Sequence, residues 1–262
     1  MIGAIVGDVA GSRFEWRNIK TKEFDLLADG CRFTDDSVMT LAVCDALLSC
    51  RDERDDLGAQ AVRRLQEYGR AYPDAGYGTS FWRWLKAEHP RPYNSWGNGA
   101  AMRVSGCGWA ASSVEEAAAL SRAVTEVTHN HPEGLKGAEA VAVAVYLART
   151  GADLPTIRSH ITGRYYALDF TLDQIRDGYT FDVSCQGSVP QALEAFFESR
   201  GFEDAVRNAV SIGGDSDTIA AIAGSVAEAY YGVPADIRQR ALAFLDEKLL
   251  NTLAAFEEAY PA

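Results

Sequence analysis

The run Ala140-Val141-Ala142-Val143-Ala144-Val145 alternates small and large apolar side chains and has no polar face. A half-buried strand alternates apolar with polar residues, so a period of two does not make this one. With Gly137-Ala138-Glu139 before it and Tyr146-Leu147-Ala148-Arg149 after it, the segment has the length of a helix enclosed by protein on every side. Such an element needs other helices around it, and the rest of the chain supplies them. Thr34 to Ser49 opens on a capping Thr and two acids, then runs Val-Met-Thr-Leu-Ala-Val-Cys-Asp-Ala-Leu-Leu at helical period. Arg54 to Arg70, Ser113 to Thr128, Asp204 to Val210 and Pro234 to Leu249 have the same character. Ser188-Val189-Pro190 offers a capping Ser and an early Pro before another helix.

The sequence therefore predicts an all-α fold, a compact single-domain orthogonal helical bundle. Small Ala and Gly side chains would let its central helices approach near the short end of the ~8–10 Å packing range. No repeat, low-complexity tract or linker divides the chain, so residues 1–262 are expected to form one domain. Apolar residues make up 47% and charged ones 24% of the 262, a balance that excludes general disorder. No apolar run reaches the ~18 residues that would cross a bilayer. The opening Met1-Ile2-Gly3-Ala4-Ile5-Val6-Gly7-Asp8 lacks the basic start of a signal peptide. The five cysteines are scattered without a CxxC, which argues against a zinc knuckle or disulfide framework and for a reducing cytoplasm. A formal charge of −12 disfavours duplex nucleic acid as an electrostatic partner. It leaves anionic ligands open, because a metal ion can reverse the sign of a site.

Two acidic clusters stand at probable helix starts: Phe33-Thr34-Asp35-Asp36-Ser37, and Gly213-Gly214-Asp215-Ser216-Asp217-Thr218 before the apolar Ile219-Ala220-Ala221-Ile222-Ala223-Gly224. Capping accounts for either one singly, since Asp and Thr favour first turns. Together they hold more oxygens than capping uses, and adjacent acids beside buried helices repel unless a cation compensates. Oxygen-only ligands suit Mg²⁺ or Mn²⁺ better than zinc. If the two starts converge, Asp35, Asp36, Asp215 and Asp217, with Thr34 and Thr218, could hold two ions suited to hydrolysis.

The segment from Gly3 to Ser12 lacks the GxGxxG spacing, and no GxxxxGK[ST] occurs. Ser95-Trp96-Gly97-Asn98-Gly99-Ala100-Ala101-Met102-Arg103 could turn backbone amides toward a diphosphate, with Arg103 close behind; by itself, a tight turn entering a helix explains it slightly better. His129 and His131 lack a third zinc ligand at metal spacing, so His129 is better read as a hydrogen-bonding or stacking group and His131 as a loop residue. Phe81-Trp82-Arg83-Trp84 reads as core packing rather than a nucleobase clamp.

Taken in order, Gly7-Asp8-Val9-Ala10-Gly11-Ser12-Arg13-Phe14-Glu15, Thr34-Asp35-Asp36-Ser37, Gly97-Asn98-Gly99-Ala100-Ala101-Met102-Arg103, Thr128-His129 and Gly213-Gly214-Asp215-Ser216-Asp217-Thr218 resemble the ADP-ribosylglycohydrolase family. That family includes the dinitrogenase-reductase-activating type and the mammalian ADP-ribosyl-acceptor hydrolases. The resemblance spans nearly the whole chain, and the pairing of Gly-Gly-Asp-x-Asp-Thr with Thr-Asp-Asp-Ser is its most specific part. It implies an all-helical fold with a dinuclear magnesium centre in a cleft for ADP-ribose. Thr34, Asp35, Asp36, Asp215, Asp217 and Thr218 would be the metal ligands, and Glu15 would sit at the mouth. Gly97, Asn98, Gly99 and Met102 would lie along the ligand with Gly213 and Gly214, and His129 would touch it. The implied activity is hydrolysis of the glycosidic bond between ADP-ribose and an acceptor, a protein side chain or small conjugate, with Glu15, Asp36 and Asp215 as acid/base candidates. Two other readings stand beside it: a metal-dependent pyrophosphatase acting on ADP-ribose, and a non-catalytic ADP-ribose-binding or lens-crystallin-like protein. The chain is expected to act as a monomer.

Overall fold

The computed structural model describes residues 1–51, 54 and 56–261. Its helices are α1 (Ile2–Gly11), α2 (Asp35–Ser49), α3 (Leu57–Ala71), α4 (Thr79–Lys86), α5 (Ser105–Ala110), α6 (Val114–Thr125) and α7 (Pro132–Arg149). There follow α8 (Leu154–Arg164), α9 (Leu172–Ile175), α10 (Cys185–Phe197), α11 (Phe202–Ser211), α12 (Ser216–Tyr231), α13 (Ala235–Leu242) and α14 (Glu247–Ala259). The fold is all-α and forms a single domain; a lone antiparallel bridge between Gly97 and Ser184 is the extended pairing among the described residues.

The centre is built on α1, α7 and α12. Residues 140 to 145 of α7 are fully buried, as a helix without a polar face must be. Helix α12 packs against α1, α7, α10 and α11, and its contact with α1 is the most extensive in the molecule. The glycine-rich opening, unassigned from sequence, supplies the reason. Gly3, Gly7 and Gly11 recur every four residues along one face of α1, against the backbone of Gly224, of Ala220 and Ala221, and of Ser216 and Asp217. A methyl group on Gly11 would stand 2.5 Å from the Ser216 carbonyl oxygen and the Asp217 Cα, so the two helices meet backbone to backbone.

Several sequence boundaries change. The helix expected over Pro234 to Leu249 is two, because Asp246 caps a new helix by accepting a hydrogen bond from the Leu249 N–H. The helix expected to start at Ser188 begins at Cys185 under Ser184, which accepts from the Gly187 N–H and leaves Pro190 inside the helix. Helix α6 stops at Thr125, three residues short of the expected Thr128. The start expected at Arg54 moves to Leu57, and Asp55 lies outside the described residues. Among the described residues no helix is long and apolar enough to cross a membrane.

Candidate active site

Asp8 sits in α1 where every neighbour is apolar or small, and it is fully buried. Its carboxylate meets the start of α2. Oδ2 accepts from the Thr34 N–H at 2.9 Å and the Ser37 N–H at 3.0 Å, and also from the Ser37 hydroxyl. Oδ1 accepts from Thr34 Oγ1 at 2.7 Å. Asp8 thus satisfies amide donors that a helix start leaves open, from another helix. Thr34 caps α2 as expected, accepting from the Asp36 N–H at 3.3 Å.

The second acidic cluster reaches the same place through a turn only glycine fits well. Gly213 and Gly214 have φ of +71° and +74°, the left-handed region, and swing the chain so that Asp215 opens α12. Thr218 Oγ1 then donates to Asp36 Oδ2 at 3.1 Å, across 182 residues of sequence. The two helix starts converge.

Their carboxylates form two groups that share Asp217. Asp8, Asp36 and Asp217 bring one oxygen each within 4.8 Å of the others, and so do Glu15, Asp215 and Asp217. Asp35 lines the same cleft but belongs to neither group. Burial, and then neighbouring negative charge, raise Asp36 and Asp217 well above the usual carboxylate range. Burial also raises Asp8 and Asp215, against the hydrogen bonds that hold their charged forms. Asp35 is pushed up to about 8 by burial, Asp8 and Asp215, and Glu15 to about 7 by burial and Asp215. Asp36 Oδ1 is buried without a hydrogen-bond partner among the described residues. A carboxylate oxygen with no donor, among like charges that raise one another, fits a hard cation, and the oxygen-only donor set agrees.

Glu15, Asp35, Asp36, Asp215 and Asp217, but not Asp8, line a cleft of about 560 Å³, a size usual for small-molecule sites. The Gly97–Gly99 turn lines its wall, pinned to the opposite loop by Asn98 N–H donating to the Val183 carbonyl at 2.7 Å. The Asn98 side chain, expected to face ligand, instead donates to Asp215 Oδ2 at 2.7 Å and Ser188 Oγ at 3.0 Å. Met102 lines the cleft as well. His129 is buried with Nδ1 2.7 Å from Thr128 Oγ1 and its Nε2 side toward Gly97 and Gly99. Burial and the nearby Arg103 hold it well below the usual histidine range, so the ring is neutral.

Arg103 is buried, donates to Thr128 Oγ1 at 2.6 Å and lies over the Phe81 ring. Its Nε meets no acceptor among the described residues, and burial pushes the guanidinium down to about 10. The cleft is therefore lined by both an acidic cluster and a buried cation.

Two expectations are displaced. Gly213 and Gly214 are absent from the cleft wall; Gly213 abuts Asn18, and Gly214 abuts Tyr179. His131 is the N-cap of α7, its Nδ1 accepting from the Glu133 N–H at 3.1 Å. Sequence reasoning missed Asp8, and also Tyr77, Thr79, Ser80, Tyr93 and Phe181 on the cleft wall. Asp8 left a signal, an acid inside an apolar run; the others left none. Phe81 and Trp84 are buried as expected of packing residues, though Phe81 also lines the cleft.

The sequence profile of ADP-ribosylglycohydrolases matches residues 1–261. This chain belongs to the ADP-ribosylglycohydrolase family. It is similar to human ADP-ribosylhydrolase ARH3, 28% identical over 309 residues that cover 89% of this chain and 84% of that protein. The ADP-ribosylarginine hydrolase Tri1 of Pseudomonas putida (strain GB-1) is also 28% identical, over 269 residues covering 89% of this chain and 70% of Tri1. Among solved structures, an ADP-ribosylglycohydrolase-related protein complex superposes with a TM-score of 0.70 at 26% identity, covering 99% of this chain and 95% of that one. In this family member Asp36, Asp215 and Asp217 sit at the two helix starts, and Asp8 and Glu15 on the Gly7–Glu15 segment, all within the motifs that carried the resemblance.

Proposed function

We propose that the chain is a divalent-metal-dependent hydrolase that cleaves the glycosidic bond between ADP-ribose and an acceptor, releasing ADP-ribose. One observation carries the reading: a single cleft is lined both by Asp36, whose buried Oδ1 has no partner among the described residues, and by Arg103, whose buried Nε has none there either. A ligand with ribose hydroxyls and a diphosphate has both complements. Thr34, Asp35, Asp36, Asp215, Asp217 and Thr218 would hold two Mg²⁺ ions, with Mn²⁺ as a substitute, and Asp8 would hold Thr34 and the α2 start in place. Bound there, such ions act as Lewis acids and orient oxygen ligands.

The chain's own residues do the rest. Gly97, Gly99, Met102 and His129 would receive the phosphate-bearing half, and Asn98 fixes Asp215 by its side-chain donor. Gly213 and Gly214 act indirectly, by turning Asp215 into the cleft. Glu15, which burial and Asp215 raise to about 7 in the metal-free site, is the leading carboxylate for the acid/base step. Asp36 and Asp215 remain the alternative acid/base groups. Five buried cysteines, none in a disulfide among the described residues, support a reducing cytoplasm as the working compartment.

The test is a panel of conjugates, with ADP-ribose on arginine, serine, a nucleobase and an acetyl ester, incubated with Mg²⁺ or with EDTA. Free ADP-ribose formed only with Mg²⁺ supports the reading and names the acceptor. AMP would identify a pyrophosphatase instead, and unchanged conjugate that nonetheless binds would identify a non-catalytic receptor.

A further inference from the structure

Asn18 lies three residues beyond Glu15 and outside the cleft, yet its amide touches both loops that deliver carboxylates to it. The Gly214 N–H donates to Asn18 Oδ1 at 2.8 Å, and Asn18 Nδ2 donates back to the Gly214 carbonyl at 2.9 Å. The same nitrogen also donates to the carbonyls of Phe14 at 2.7 Å and Glu15 at 3.1 Å. Gly214 is left-handed, which turns its N–H and carbonyl toward Asn18, and a methyl on Gly213 would press Asn18 at 3.1 Å. Two residues on, Lys20 Nζ donates to the Ile212 carbonyl at 2.6 Å and the Tyr179 carbonyl at 2.7 Å. Residues 18 to 20 thus bind the Glu15 turn, the turn before Asp215 and the loop bearing Phe181 to one another. Trp16, beside Glu15, stacks on Phe181 with ring centroids 5.1 Å apart.

We propose that Asn18 is a positioning residue, a latch that holds the Glu15 loop and the Gly213-Gly214 turn as one unit and so sets Glu15 against Asp215 and Asp217. This rests on the hydrolase reading for what Glu15 does, but not for the latch itself. Only a side chain that donates and accepts on one planar group can answer both backbone groups of Gly214. Asp accepts only, and its carboxylate would face three carbonyl oxygens; Ala does neither. Releasing the latch frees Glu15 by an ångström or more, and a misplacement of that size lowers turnover by up to ~10²-fold.

Three measurements test it, on the full chain loaded with Mg²⁺. Asn18→Ala and Asn18→Asp should lower kcat about 10- to 100-fold while calorimetric affinity for free ADP-ribose stays near wild type. In a Glu15→Gln background, Asn18→Ala should cost clearly less than it does alone, because part of its effect passes through Glu15. Amide exchange should quicken together in peptides covering residues 12–20 and 212–216 and stay unchanged in α7. Wild-type kcat in both variants, or effects that multiply in the double variant, would overturn the proposal. If the wild-type chain cleaves no conjugate, the hydrolase reading falls and exchange alone judges the latch. Unchanged exchange at either peptide would then refute it. Should Asn18→Asp unfold, its melting curve reports that, and Asn18→Ala carries the test.

Discussion

Replacing Gly11 by Ala adds one carbon atom at the point where the two halves of the site touch. That Cβ would lie 2.5 Å from Ser216 O and Asp217 Cα and 2.6 Å from Asp217 N, whereas ordinary contact begins at 3.4 Å. Every atom it meets is backbone, so no side chain can rotate away. The start of α12 must retreat by about 0.9 Å. Overpacking of this kind destabilises by about 1–3 kcal/mol, and the helix propensity gained on replacing Gly by Ala returns up to ~1 kcal/mol. Taken at mid-range, a net loss of about 1 kcal/mol should lower Tm by about 2–4 °C in a domain of this size. The same retreat carries Asp217, shared by both carboxylate groups, and should reduce kcat about 10²-fold. Gly163→Ala is the control: it lies in α8 with nothing within 4 Å of the new Cβ, and should raise stability by about 0.5–1 kcal/mol. Differential scanning calorimetry and conjugate turnover read both variants. A Gly11→Ala protein with wild-type Tm and kcat would show slack between α1 and α12 and refute backbone-to-backbone packing as the spacer of the site.

Glu15→Gln should lower kcat at least ~10²-fold with little change in ADP-ribose affinity; equal kcat would make Glu15 a bystander. In protein freed of divalent ions, the raised carboxylates make the folded state bind more protons than the unfolded one. Their contribution is full below the ordinary carboxylate range and lost as pH rises through about 7 for Glu15 and about 8 for Asp35. Thermal melts in EDTA should therefore show Tm falling from mildly acidic to mildly alkaline pH, and Mg²⁺ should restore it at the alkaline end; a flat profile in EDTA contradicts this. Cys31→Ser and Cys185→Ser should spare turnover. Burial raises both thiols, and Cys185, pushed up to about 12, donates to the Gly97 carbonyl at 3.2 Å rather than acting as a thiolate. Loss of turnover in either folded variant would reopen thiol chemistry.

What the sequence made legible was local. Thr34 as a cap, the enclosed helix through residues 140 to 145 and the acids at two helix starts are patterns over a few residues, and each stands where it was expected. Asp8 was not legible as a buttress, because the amides it satisfies lie 26 and 29 residues away in another helix. The break between α13 and α14 was hidden because residues 243–246 contain neither Gly nor Pro; only Asp246 marked it. Ser188 and Ser184 both precede apolar helical residues, and the bond from Asn98 that engages Ser188 elsewhere is tertiary. Asn98 shows the same limit, since a loop amide beside two glycines gives no local sign that its partner is Asp215, 117 residues on.

The union of α1 with α12 also fixes when the site comes into being. A chain emerging from the ribosome exposes Asp8 and the Thr34 cluster early, and the hydrogen bonds between Asp8 and Thr34 span only 26 residues of sequence. Asp215 and Asp217 arrive only after most of the chain has been made, and Thr218 must find Asp36 across 182 residues. Until α12 docks along the glycine face of α1, neither acidic group is complete.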